Sequence, residues 1–158
     1  MTSRASCTLR IAGWSNIAIA AGHVIGLIWA WSFFRAIGIE LEMRALAMQG
    51  AALPYILTLG TAAAFLACGL YAFSGAGDLR RLPFLRTALL SLAAIYLTRA
   101  TLYEGIGAVR DGDGAQIAFA SIALLIGLCY AYGAIARLRV RTDTAHVGAG
   151  AATRPAAG

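Results

Sequence analysis

The chain has 158 residues, of which 60% are hydrophobic and only 13% charged, and its mean hydropathy is +0.74. A soluble domain usually carries about 45–50% apolar and about 25% charged residues, so a soluble fold of this size would have no way to hide so much apolar surface. The net charge of +6 sits beside apolar runs rather than in a basic face, which argues against nucleic-acid binding and for charge-directed membrane orientation.

All thirteen basic residues are arginine, and with the high alanine and glycine content this is the signature of a GC-rich, bacterial genome. The three cysteines, Cys7, Cys68 and Cys129, are far apart and form no CxxC pair. That pattern excludes the usual thiol–disulfide and zinc motifs. Cys68 and Cys129 lie inside apolar runs and read as small packing residues.

Residues 9–34 are predicted to form the first membrane span, since about 20 apolar residues suffice to cross a bilayer. Arg4 and Arg10 before it imitate a signal peptide, but the run is too long and too rich in tryptophan to be one. Trp14 near one end, with Trp29 and Trp31 near the other, fits indoles at the two interfaces. Gly22 and Gly26 form a GxxxG pair suited to close helix packing.

Residues 35–53 mix charge with apolar side chains, and 40–49 reads as a short amphipathic helix lying on the membrane or capping the other helices. Pro54 suits the first turn of the next helix, where its missing N–H is not needed. A second span follows over 54–73, a glycine-broken turn with Arg80 and Arg81 over 74–83, and a third span over 84–105. The next turn holds Asp111, Gly112, Asp113 and Gly114, without the further carboxylates a calcium loop requires. A fourth span covers 116–136, an arginine collar follows at 137, 139 and 141, and residues 142–158 read as a disordered tail. The fold class expected is therefore all-α: an integral membrane four-helix bundle (residues 1–141) with a short amphipathic outer segment between helices 1 and 2.

The arginines set the orientation. The N-terminus, the 74–86 turn and the C-terminus together hold nine arginines and two acids, while the opposite side holds four arginines and five acids. This predicts a multi-pass inner-membrane protein with both termini cytoplasmic.

Polar residues within the spans are the candidate site. Arg99 falls on one helical face with Leu92, Tyr96 and Tyr103, about five residues, or roughly 7–8 Å, inside the outer end. Three readings are open for it: snorkelling to lipid phosphates, an ion pair with Glu40, Glu42 or Glu104, or a fork for an anionic ligand or headgroup. Asn16 and His23 are seven residues apart and share a face of the first span. His23 is either satisfied by a Ser, Thr or Tyr of a neighbouring helix or has a proton-handling or ligand role. A haem held by two histidines is disfavoured, because the only other histidine, His146, is in the tail. The expected ligand-binding set is thus His23, Arg99, Tyr103, Glu40, Glu42, Glu104, Asn16 and Tyr96, with no catalytic residue, no metal and no cofactor. The expected partners are membrane lipid and a homo-oligomer or larger membrane complex. The remaining tyrosines near span ends, including Tyr130 and Tyr132, read mostly as interface anchors.

Residues 25–31, IGLIWAW, and 126–132, IGLCYAY, share Ile, Gly, Leu and Ala, with each Trp answered by Tyr. An inverted repeat or coincidence in an Ala/Gly/Ile/Leu-rich chain would produce this echo. The segments AGHVIGL, GLYAFSGAGDLRRLPFLR and YLTRA resemble the DoxX-like group of small four-helix bacterial inner-membrane proteins. That resemblance implies the same layout and, for some members, a link to quinone or thiosulfate redox systems. It carries over no functional residue.

The function expected is binding of a small anionic molecule or lipid in an outward-facing polar pocket, or support of a membrane complex. The alternatives are a small oligomeric transporter and an accessory subunit of a quinone-linked redox system.

Overall fold

The computed structural model describes residues 3–105 and 114–152, with the side chains of 103–105, 115 and 138–152 also outside the described residues. Among the described residues every regular element is helical. Three stretches are long and apolar enough to cross a membrane: Ser3–Ala36, Leu53–Ala76 and Gln116–Arg137.

The first stretch is not one helix. α1 (Ser3–Gly26) passes through a single 3₁₀ turn, Leu27–Trp29, into α2 (Ala30–Ala36). Trp29 leaves the helical region at φ −121°, ψ 51°, so the expected continuous span over 9–34 is broken there. The break follows Gly26, the last residue of α1. The Phe33 ring occupies the place where a β-carbon on Gly26 would sit, 2.6 Å from Cδ2. Glycine at 26 lets the Phe33 ring fold back onto the end of α1.

Gly38 reverses the chain at φ 79°, and α3 (Glu40–Gln49) follows with the bounds expected of the amphipathic segment. Glu40 and Glu42 in its first turn face the positive end of the helix dipole. Met43 packs with Phe34 and Ala30 of α2 into a small apolar cluster of its own, which holds α3 against the end of the first stretch.

α4 (Leu53–Ala76) carries Pro54 in its first turn, as predicted. Within it Thr58 and Thr61 return their hydroxyls to the carbonyls of Pro54 and Leu57 at 2.8 and 2.9 Å. In lipid such back-bonding satisfies a hydroxyl that has no water to meet. Gly77, at φ 95°, ends the helix, and the N–H groups of Gly77 and Asp78 both bond to the Phe73 carbonyl at 3.0 Å.

α5 (Leu85–Thr98) has only 14 residues and opens into a π-helical segment, Arg99–Gly105. Fourteen residues span about 21 Å, against about 30 Å of hydrocarbon. α6 (Gly114–Ala152) runs past the span end expected near 136 and into the stretch read as tail, while residues 153–158 lie outside the described residues.

The helices pack antiparallel around a line of small side chains. Gly69 of α4 lies so close to α1 that a β-carbon there would be 3.1 Å from the Gly13 carbonyl oxygen. This crossing, not the Gly22/Gly26 pair, is where two backbones meet. A β-carbon at Gly22 would meet open space. Leu9 of α1 fits against Gly75 of α4 and Gly133 of α6, and Leu89 of α5 also reaches Gly75. The start of α1, the end of α4, the start of α5 and the 133–137 region of α6 therefore share one end of the molecule. That end carries Arg10, Arg80, Arg81 and Arg137. Arg35, Glu40, Glu42 and Arg44 lie at the other. The exterior is apolar, with Ile11, Ile28, Leu66 and Leu125 all exposed, the distribution expected where lipid is the solvent.

Candidate functional site

The polar centre of the molecule is Asn16, fully buried on α1. Its Nδ2 donates to the Ala12 carbonyl at 2.8 Å and to the Tyr130 hydroxyl of α6 at 3.2 Å. Its Oδ1 accepts from the Tyr96 hydroxyl of α5 at 2.5 Å. Tyr130 passes the chain on, donating to the Cys68 carbonyl of α4 at 2.7 Å. One amide and two phenols therefore tie α1, α4, α5 and α6 together. The directions are consistent, since each hydroxyl donates once and the Asn16 amide donates twice and accepts once.

The local sequence explains why these side chains meet. On α5 and its π-helical extension the buried positions run Leu85, Leu89, Ala93, Tyr96 and Ala100, and on α6 Ala123, Ile126, Tyr130 and Ala134. These are the spacings of three and four that mark one helical face. Small residues beside each tyrosine allow the rings to approach, and Gly127 admits Tyr96 and Leu97 against α6. Tyr130 was expected at the membrane interface. It is instead among the most deeply buried side chains, while Tyr132, two residues on, is 47% exposed. The signal that separates them is the small-residue line on which Tyr130 falls.

No family model, curated protein or solved structure matches the chain. The arrangement must therefore be read from its own chemistry. Of the predicted site residues, Asn16 and Tyr96 are brought together, and Tyr130 completes the group.

His23 goes elsewhere. Its Nδ1 lies 2.8 Å from the Ile19 carbonyl oxygen, one turn back on its own helix. A carbonyl only accepts, so Nδ1 carries a proton in this pose. The ring lies edge-on to Phe33 at 5.7 Å and against Phe65 at 5.4 Å. Among the described residues its polar partner is thus backbone, where a Ser, Thr or Tyr of a neighbouring helix was expected. Among the described residues no three His, Cys, Asp or Glu side chains converge on one point.

Glu40 is held by two arginines. Arg35 donates Nε and Nη2 to its two oxygens at 2.8 and 3.1 Å, and Arg44 donates Nε and Nη2 to Oε1 at 3.1 and 2.7 Å. The two guanidiniums hold the carboxyl well below the usual range, at about 2. Arg44 also lies over the Trp31 ring, 5.1 Å from its centroid. This cluster fastens the end of α2 to α3. Glu42 is exposed on the same helix.

Arg99 stands at the junction of α5 with the π-helical segment, exposed and engaged by a neighbour. Tyr103 and Glu104 belong to that segment, and their side chains lie outside the described residues. The expected face of Leu92, Tyr96, Arg99 and Tyr103 divides at this point. Tyr96 is turned inward, with Ala100 continuing the buried line, and Arg99 is turned outward.

At the arginine-rich end, Arg10 bonds both oxygens of Asp78, with contacts of 3.1, 2.8 and 2.5 Å. This pair joins the first turns of α1 to the turn after α4, and it holds the Asp78 carboxyl below its ordinary value.

Proposed function

We propose that the chain is a non-enzymatic multi-pass protein of the bacterial inner membrane, with four membrane-crossing helices and both termini in the cytoplasm. In this reading it serves as a rigid accessory element of a larger membrane assembly. The observation that carries the reading is the Asn16–Tyr96–Tyr130 group. Each of its side chains is bonded to another or to backbone, which supports a role in locking helices together over one in lining a path or a reaction site. A transporter needs polar groups that can exchange partners with a cargo.

Four crossings are supported by the packing of α5 between α4 and α6. Twenty-one residues, from Leu85 through the π-helical segment to Gly105, are available for the crossing. The orientation is supported by the gathering of arginines at the end that holds the start of α1. The resemblance to DoxX-like proteins favours a quinone-linked system as the kind of assembly served. An anionic molecule or headgroup at the outer end is compatible with the Arg35, Arg44 and Arg99 charges there.

The test is reconstitution into liposomes beside purification in mild detergent. The expected result is a stable, colourless protein that recovers in fixed stoichiometry with other membrane subunits and gives no solute flux. A flux or turnover abolished by Tyr130→Phe, in a variant that still folds, would sink the reading.

A further inference from the structure

Arg137 lies near the arginine-rich end of α6, against the last turn of α4. Its Nη2 reaches the Ser74 carbonyl oxygen only at 3.4 Å, and its Nε is buried with no hydrogen-bond partner among the described residues. A buried charged donor without an acceptor is costly, and the described groups around it do not relieve that cost. Arg81 is close enough to act on it electrostatically. The carboxylate of the same turn, Asp78, has both oxygens bonded by Arg10. The Ser74 hydroxyl is engaged too, donating to the Arg80 carbonyl and accepting from the Leu82 N–H, both at 3.0 Å. Those two bonds fold the turn that carries Arg80 and Arg81, and both arginines are exposed.

The same turn presents two exposed apolar side chains, Leu79 at 43% and Phe84 at 83%. Positive and apolar groups side by side at the ends of membrane helices sit where headgroups give way to acyl chains. A phosphate with its two free oxygens would accept from the terminal N–H groups of the Arg137 guanidinium, whose Nη atoms, unlike Nε, are not buried without a partner. Its negative charge would offset Arg81. A zwitterionic headgroup would bring a cation of its own into a site that already has too many.

We propose that Arg137 and Arg81 bind the phosphate of an anionic membrane lipid, with Leu79 and Phe84 lying among its acyl chains. This site is at the end opposite the Glu40 cluster and does not depend on the accessory-subunit reading.

The full chain, purified in detergent and stripped of lipid, is titrated with phosphatidylglycerol, phosphatidylcholine or inorganic phosphate. Bound lipid is counted by native mass spectrometry, and stabilisation is followed by the melting temperature. Phosphatidylglycerol should bind and raise the melting temperature, with phosphatidylcholine binding at least about tenfold more weakly. Arg137→Gln should weaken phosphatidylglycerol about tenfold or more, and Arg137→Lys, which keeps charge but loses the fork, should fall between. Arg81→Gln sits on an exposed turn and keeps the test decisive should Arg137→Gln fail to fold; it should weaken binding severalfold with the lipid-free melting temperature unchanged. Equal binding of the two lipids, or binding indifferent to these arginines, would overturn the proposal. Displacement of phosphatidylglycerol by millimolar inorganic phosphate would overturn the lipid as the source and leave a soluble phosphate in its place.

Discussion

Tyr96 and Tyr130 stack with ring centroids 5.9 Å apart and 18° between their planes, and both hydroxyls bond to the one amide of Asn16. The stack brings α5 against α6, and the amide fixes both to α1. Because the Tyr130 hydroxyl continues to the Cys68 carbonyl, the same group reaches α4. Apolar packing alone discriminates poorly between helix registers in lipid, since the tails are as apolar as the side chains. Hydrogen bonds with fixed directions do discriminate, and here one register satisfies all of them.

Removing one hydroxyl should cost little, and removing the shared acceptor's donor should cost more. Tyr130→Phe leaves Asn16 Nδ2 still bonded to Ala12, so a loss of about 1 kcal/mol is expected, the usual scale for interhelical hydrogen bonds in membranes. Tyr96→Phe strands the buried Asn16 Oδ1, and about 1–2 kcal/mol is expected from an unmatched buried acceptor. Unfolding in mixed micelles would measure both. A double-mutant cycle of Asn16→Leu with Tyr96→Phe should give a coupling of about 0.5–2 kcal/mol, and strict additivity would mean that the two side chains do not act together.

Gly69→Ala and Gly22→Ala should differ sharply. At Gly69 the added methyl meets the Gly13 carbonyl oxygen at 3.1 Å and Ile17 Cγ1 at 3.2 Å, and a backbone atom cannot step aside. Overpacking of this kind costs about 1–3 kcal/mol. At Gly22 nothing lies within 4 Å, so alanine should be neutral or should gain up to about 1 kcal/mol from helix propensity. The same micelle unfolding assay compares them, and equal losses would contradict the α1–α4 crossing described here.

The contrast between those glycines illustrates what the sequence could disclose. The three apolar stretches, the amphipathic α3 and the placement of Pro54 are written in hydropathy and in residue type, which act locally. The GxxxG pair is local too, but whether a neighbour fills it depends on which face the other helices choose. The break at Leu27–Trp29 is announced only by Gly26, a residue type that at Gly22 sits inside the helix, and it goes with Phe33 folding back onto that glycine. The echo between 25–31 and 126–132 fails for the same reason. Trp29 is 65% exposed where its counterpart Tyr130 is fully buried, and Ile25 is 57% exposed where Ile126 is 3%. Matching positions sit in opposite environments. Asn16 and Tyr96 were legible as polar residues in apolar runs. Tyr130 was not, because tyrosine suits both an interface and a core, and only its small-residue line decides between them.

Acid should loosen the α2–α3 junction in a defined window. Glu40 has its carboxyl pKa lowered from 4.5 to about 2 by Arg35 and Arg44. A depressed carboxylate contributes stability that is fully present above the unfolded value and is lost as pH falls through the folded one. The loss should therefore run from about pH 4.5 down to about 2, and not at higher pH. Trp31, which lies under Arg44, makes tryptophan emission a local readout. Wild type should show a transition in that window, and Glu40→Gln should lack it. High salt should shrink the effect, because both arginines are more than half exposed. Asp78, depressed by Arg10, should add a similar acid-sensitive component at the other end, one that Asp78→Asn removes.

The number and direction of crossings can be read from cysteines. Cys7 is exposed at the end that also carries Arg10, Arg80, Arg81 and Arg137. Ala51 is exposed in the turn between α3 and α4, at the opposite end. Cys68 and Cys129 are half-buried in membrane-length helices and should react slowly, since a charged, membrane-impermeant reagent does not enter hydrocarbon. With the arginine-rich end in the cytoplasm, a membrane-impermeant maleimide added to intact cells should label Ala51→Cys and spare Cys7. Both should label once the membrane is permeabilised. A third position, Gly158→Cys, reports on the short α5. If α5 and its π-helical extension cross, the chain passes the membrane four times and Gly158→Cys should be protected like Cys7. If α5 stays on one side, three crossings remain and Gly158→Cys should label from outside like Ala51→Cys. Labelling of Cys7 in intact cells would instead reverse the orientation, and would move the Arg137 site to the outer leaflet.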